Sequence, residues 1–345
     1  MNLPPAPHER ATAPFRSSGS VLRRAAMCIE CAQQATDDQR EQVGAALEIL
    51  EHAVKRADQS VPPRPRLSAQ PDFKLAARIA TADVRAKLDS ILMGRDPDAG
   101  LDALLESNAL SSLLPEVHAL VGFGDGEWHH KDVWKHTKQV VCQAENRIGL
   151  KWAALLHDIG KPKTRSISED GEVHFFGHAE LGARMFDRIE RRLRLFAHEP
   201  ELKESIRFLI LHHLRANQYE PSWTDSAVRR FGREIGGELD NLFCLSRADI
   251  TTKRPEKKRF GLQQIDELSA RVSELAELDA RVPPLPSGIG NDIMETFGLP
   301  PSRLIGDIKR ALEAAIEEGE LAGHLPSSYY VDFLQANRER FGIPE

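Results

Sequence analysis

Trp152-Ala153-Ala154-Leu155-Leu156 runs straight into His157-Asp158. A helical segment that is apolar all round has no face to give to water, so it must lie inside a bundle. The polar pair at its end is then drawn out of water as well, and a histidine beside a carboxylate carries a large desolvation cost there. An ion pair, a hydrogen-bond network or a bound metal offsets that cost, and imidazole with carboxylate is a metal-ligand combination. Gly160 and Pro162 stop the helix just beyond, which puts the pair at a helix end.

The arrangement recurs along the chain. Phe208-Leu209-Ile210-Leu211 leads into His212-His213, and Leu242-Phe243-Cys244-Leu245 is followed by Asp249. His136 shares a helical stripe with Val133, Val140 and Ala144, and His178 opens the stretch Ala179–Leu195. One inward histidine is more often a hydrogen-bonded core residue than a ligand. Ligand-type residues at the buried faces or ends of five predicted helices point instead to one metal site.

The helical pattern extends over most of the chain. Predicted helices are Thr81–Met93, Asp98–Ser107, Asp132–Asn146, Leu150–Ile159, Ala179–Leu195, Glu201–Leu214, Thr224–Gly232, Leu239–Asp249, Phe260–Ala280 and Arg303–Glu318. Val173-His174-Phe175-Phe176, after the turn Glu169-Asp170-Gly171, is the one short strand. Residues 1–20, rich in Pro, Ala, Ser and Arg, read as disordered, and Ser20–Asp58 as polar helix with the stripe Val43, Leu47, Leu50 and Val54. The segment from Gln59 to Pro71, with its stiff Val61–Arg66 stretch, marks the clearest boundary. With 345 residues, 41% of them hydrophobic, the chain can bury a sizeable core. A net charge of −6 argues against wholesale nonspecific nucleic-acid binding, and 6% aromatics against a broad base-stacking surface. No apolar run approaches the ~20 residues that cross a membrane, the N-terminus lacks a signal-peptide pattern, and four cysteines give no disulfide framework. The expectation is a cytoplasmic protein; its oligomeric state is not legible.

In family order, these residues resemble the HD-domain metal-dependent phosphohydrolases, and most of all the HD-containing bacterial tRNA nucleotidyltransferases and poly(A) polymerases. The matching pieces are His129 to Thr137, Trp152 to Pro162, Phe176-Gly177-His178, Leu211 to Leu214 and Ala248 to Pro255. Thr81 to Pro115 is similar to the neck helices of that family, and Ser287 to Leu321 to its closing body segment. The resemblance implies an all-α fold: a multi-helical HD domain over 126–260, a helical neck over 71–125 and a helical body over 261–345. Residues 1–70 are then an N-terminal extension with a Pro-rich linker. Nothing in residues 1–75 offers the Gly-rich turn and paired carboxylates of the family's nucleotidyltransferase head, so the expectation is an HD half that does not add nucleotides.

The resemblance further implies a ligand set of His136, His157, Asp158 and Asp249, holding one or two divalent ions (Mn, Ni, Co, Fe or Mg) that activate water for attack on phosphorus. Asp158 would bridge two ions, with His178 and His212 as ligands to the second. Adjacent histidines on a helix point ~100° apart, so His213 is given a catalytic, outer or leaving-group role. Lys161 is the second catalytic candidate, as a point charge for a substrate phosphate, against a plain helix-end lysine. Arg165 is a weaker candidate of that kind, and His129 and His130 flank the pocket mouth. The implied partner is a nucleotide, small phosphoester or RNA end, with tRNA as the larger partner. The alternatives are an RNA-binding relative of tRNA nucleotidyltransferase and a nucleotide-sensing module, each without turnover. Cys28-Ile29-Glu30-Cys31 lacks a second pair and reads as chance. The basic runs Arg188–Arg194 and Lys253–Arg259 read as solvated faces or, for the second, as the border of the pocket.

Overall fold

The computed structural model describes residues 35–59, 61–62, 71–124, 132–281 and 283–344. Among them the fold is all-α apart from one hairpin of two short strands. Cys28, Cys31, His129 and His130 lie outside the described residues.

The first helix, α1 (Asp37–Asp58), starts at a capping box: the Thr36 hydroxyl accepts from the Gln39 amide, and the Gln39 side chain accepts from the Thr36 amide. It packs on α2 (Phe73–Ile79), α3 (Thr81–Met93) and α4 (Pro97–Glu106). The contact is made by small residues. Ala46, Ala53 and Ala57 are fully buried, and a Cβ on Gly100 would sit 2.8 Å from the Ala57 Cβ. The helical part of the expected 1–70 extension is therefore packed into the main core rather than set apart from it. Two short helices, α5 (Ala109–Leu113) and α6 (Pro115–His118), close this region.

The site is built by the helices that follow: α7 (Val133–Gln143), α8 (Ile148–Leu156), α9 (Lys161–Thr164), α10 (His178–Leu193), α11 (Pro200–His212), α12 (Asp225–Ile235) and α13 (Leu239–Asp249). Helix α8 is ringed by α3, α7, α11 and α13, which explains why all of Leu150–Leu156 is buried. Even Lys151 is buried there, and its amine donates to the Val141 carbonyl at 2.7 Å. Trp152 ties the ring to α3: its indole N–H donates to Asp89 at 2.7 Å, and Arg85 bridges Asp89, Glu199 and the Leu195 carbonyl. Between α9 and α10 the strands β1 (Ser166–Ile167) and β2 (Val173–His174) pair antiparallel, Ser166 opposite His174.

Helix α14 (Pro255–Arg281) runs unbroken through the expected 260/261 boundary, with Ile265, Leu268 and Leu275 in the main core. A second apolar cluster forms around α15 (Ile289–Phe297), α16 (Arg303–Glu317) and α17 (Ser327–Ala336), centred on Ile293, Ile308, Leu312, Tyr330 and Leu334. Among the described residues no helix is long and apolar enough to cross a membrane.

Candidate metal centre

Five helix ends or faces converge. His136 lies within α7, His157 and Asp158 follow the last residue of α8, His178 is the first residue of α10, His213 follows α11, and Asp249 is the last residue of α13. The turn after α8 presses on the start of α10 so closely that a Cβ on Gly160 would lie 2.1 Å from the His178 carbonyl oxygen. Only glycine fits there, and that contact fixes His157-Asp158 against His178.

The donor atoms fall into two sets, His136, His157 and Asp249 in one and Asp158, His178 and His213 in the other. In the first, His136 Nε2 lies 3.0 Å from Asp249 Oδ1 and 3.3 Å from His157 Nε2. In the second, His178 Nε2 and His213 Nε2 are 3.2 Å apart, at 3.6 and 4.0 Å from Asp158 Oδ1. Asp158 joins the two: its Oδ2 is 3.2 Å from His157 Nε2 and 3.5 Å from His136 Nε2.

The far side of each imidazole settles its tautomer. His157, His178 and His213 place Nδ1 at 2.7–2.8 Å from the carbonyls of Ala154, Phe175 and Ile210. A carbonyl only accepts, so each Nδ1 carries the proton and each Nε2 turns its other valence to the centre. His136 Nδ1 instead meets the Thr251 hydroxyl at 2.8 Å.

Burial pushes the His213 imidazole down to about 4, helped by the neighbouring His157, and burial also lowers His178. Two neutral imidazoles thus point lone pairs at each other and at Asp158 Oδ1, a buried oxygen with no hydrogen-bond donor. Three buried acceptors without a proton are electrostatically unsatisfied, and a cation satisfies them. The residues fit a divalent ion on that ground.

The first set differs. Burial alone would lower His157, but Asp158 and Asp249 outweigh it and raise the imidazole to about 10. Burial opposes ionisation of Asp158 as well, yet His157, Lys161 and His136 hold it well below the ordinary carboxylate range, and Asp249 is lowered by His136 and His157. Lys161 Nζ bonds Asp158 Oδ2 at 2.6 Å.

Set against the sequence, His136, His157, Asp158, His178 and Asp249 come together, and Lys161 reaches them through Asp158. His212 does not. Its ring packs on Phe208, centroids 4.2 Å apart, while His213 turns into the centre. The geometry brings His213 to Asp158 where the sequence reading put His212, because the turn of the helix admits only one of two adjacent histidines. His213 is thereby placed as a candidate ligand rather than as an outer or leaving-group residue. Thr251 was missed, although it stands two residues after Asp249 in a stretch already singled out. Arg165 is exposed and touches none of these residues. In the Arg188–Arg194 run, Arg192 pairs with Glu116 through both guanidinium nitrogens.

A helical domain that gathers histidines and aspartates from helix ends around a buried carboxylate has the donor groups of a metal site. The chain is an HD-domain protein: the HD domain family matches residues 129–253. It is homologous, over its HD and body regions, to bacterial tRNA nucleotidyltransferases. It is 31% identical over 246 residues to an A-adding tRNA nucleotidyltransferase of Deinococcus radiodurans, covering 69% of this chain and 55% of that protein. It is 29% identical over 264 residues to a CC-adding tRNA nucleotidyltransferase of Thermus thermophilus, covering 74% and 57%. A multifunctional CCA protein of Neisseria meningitidis is 36% identical over 129 residues, 35% of this chain and 30% of that protein. The chain thus spans about half the length of the first two relatives.

Proposed function

We propose that the chain is a metal-dependent phosphohydrolase acting on a phosphomonoester or phosphodiester of a nucleotide or RNA end. One observation carries this reading: Asp158 offers one carboxylate oxygen to each of two imidazole sets, and the oxygen toward His178 and His213 is buried without a donor. The six residues His136, His157, Asp158, His178, His213 and Asp249 would hold one or two divalent ions. When bound, such ions supply an activated water and neutralise charge on a phosphoryl oxygen.

The protein's own groups do the remainder. His136 and Asp249, with side chains 20% and 17% exposed, form the side open to substrate. Lys161, partly exposed beside Asp158, holds a phosphate oxygen as a point charge. His178 and His213, buried and fixed by backbone carbonyls, keep water from the far side. Such an enzyme works in the cytoplasm, where its nucleotide and RNA substrates are.

The test is metal content of the purified protein and a panel of phosphomonoesters and cyclic phosphodiesters with Mn, Ni, Co and Mg. Asp158→Ala is expected to lose bound metal and turnover together while far-UV circular dichroism stays unchanged. Full turnover in that variant would sink the proposal.

A second reading, an RNA-binding module without turnover, has one observation in its favour. Lys253, Arg254, Lys257, Lys258 and Arg259 are all exposed, and no ion pair joins any of them among the described residues. Two relatives matched over 246 and 264 residues carry tRNA nucleotidyltransferase names. A tRNA complex that weakens steeply with salt, with no hydrolysis of any ester in the panel, would select this reading.

A further inference from the structure

Phe176 is the most exposed large apolar side chain among the described residues, at 77%. One apolar ring in water is ordinary. This ring is not isolated: it stacks on His174, centroids 5.0 Å apart and planes 14° from parallel. Both rings stand at the end of β2. There Gly177, at φ 74°, turns the chain into α10 and His178. Two Cα steps place Phe176 Cα within ~7.6 Å of His178 Cα.

The ring between them is held differently. Phe175 meets Phe123 edge-on at 6.0 Å and lies under Lys161 Nζ at 5.7 Å, while its carbonyl accepts from His178 Nδ1. Phe175 thus anchors the hairpin to the metal centre and leaves Phe176 to solvent, with His174 half-buried behind it. Lys163 and Arg165, on the approach to β1, are exposed and have no ion-pair partner among the described residues. Elsewhere Arg85, Arg192, Arg229 and Arg271 are each paired with a carboxylate.

We propose that the His174–Phe176 stack is a nucleobase platform serving the metal centre: the base of a nucleotide lies on Phe176 and its phosphate reaches toward Asp158. A parallel π-stack accepts a flat ligand, and the free cations beside it accept an anionic one. A nucleotide is both at once, with base and phosphate separated by a sugar that spans from platform to centre. The proposal rests on the phosphohydrolase reading and names the part of the substrate that gives it selectivity.

Equilibrium dialysis of the metal-loaded protein with adenosine 5′-monophosphate and with ribose 5-phosphate separates the base from the phosphate, provided the ligands are recovered intact. The wild type should hold the nucleotide roughly 5- to 150-fold more tightly, the range that one base–aromatic stack supplies. Phe176→Leu should erase that margin, Phe176→Trp restore it, and neither should change ribose 5-phosphate binding. Equal binding of the two ligands by the wild type overturns the platform. So does a margin that survives Phe176→Leu, or a self-association that Phe176→Leu abolishes while no margin exists. Because the readout is binding, a protein that hydrolyses nothing but keeps the margin loses the phosphohydrolase reading and retains the platform.

Discussion

The two donor sets share Asp158 yet are built on opposite terms. His178 and His213 are buried, their imidazoles are pushed down, and backbone carbonyls hold both rings. His136 and Asp249 are partly exposed, His157 is raised to about 10, and a side-chain hydroxyl holds His136. The buried set is short of positive charge and held by backbone alone; the open set already carries a proton and has one ring, His136, held by a side chain, Thr251. On the proposed function, the difference gives the buried set the holding of an ion and the open set the meeting of substrate.

The sharpest way to break this comparison is to remove one ligand from the buried set. His213→Ala should lower bound metal by one equivalent per chain, or weaken it by more than the ~10–100-fold that outer partners cost. His212→Ala should leave metal content unchanged, because its ring packs on Phe208 and stands outside both donor sets. Inductively coupled plasma measurements on both variants decide the matter, and metal loss in His212→Ala instead would reverse the assignment.

Next in size is Gly160→Ala. Its Cβ would sit 2.1 Å from the His178 carbonyl, and backbone has to move to relieve that. Overpacking of this kind costs about 1–3 kcal/mol, so the melting temperature should fall and the buried set should lose metal before the open one. An unchanged melting temperature would mean that α10 is less tightly fixed than the contact implies.

The inward placement of His213 was harder to read than that of His157. Leu202, Ile206, Leu209 and His213 follow one helical stripe, and Ile206 and Leu209 are fully buried. That phase was readable, but Phe208, Leu209, Ile210 and Leu211 are all apolar and blur it. His157-Asp158 was legible because the run before it admits no other placement than the interior. The packing of α1 was not, because its contact is made by Ala46, Ala53 and Ala57, which a stripe of larger residues overlooks. The short helices α2, α5 and α6, of four to seven residues, carry too few turns for a 3.6-residue period to stand out. Longer segments such as Thr81–Met93 and Leu239–Asp249 were readable to the residue.

Thr251→Val tests that side-chain hold. Removing the hydroxyl partner of His136 Nδ1 should weaken the open set by ~10–100-fold, with the buried set untouched and Thr251→Ser near wild type. Competition with a calibrated chelator reads the affinity directly. An equal loss at both sets would show that the two are one rigid unit.

The smallest effect is a proton. Without an ion, His157 keeps its Nε2 proton at pH 7, because its imidazole is raised to about 10 by Asp158 and Asp249 against the pull of burial. An ion entering the open set must expel that proton. Its apparent affinity should therefore rise about tenfold per pH unit above pH 7 and level off near the raised value. His178 and His213 are lowered and already unprotonated at pH 7, so the buried set should bind with no proton released and lose affinity only below the ordinary imidazole value, His213 itself taking a proton near about 4. The ion-free fold carries the matching sign. His157 is raised above its unfolded value, so its contribution to stability is complete below pH ~6.5 and fades as pH climbs through the raised value. Isothermal titration in buffers of different ionisation enthalpy counts the protons. About one for the open set and none for the buried set is the expected result, whereas equal release at both would erase the electrostatic distinction between them.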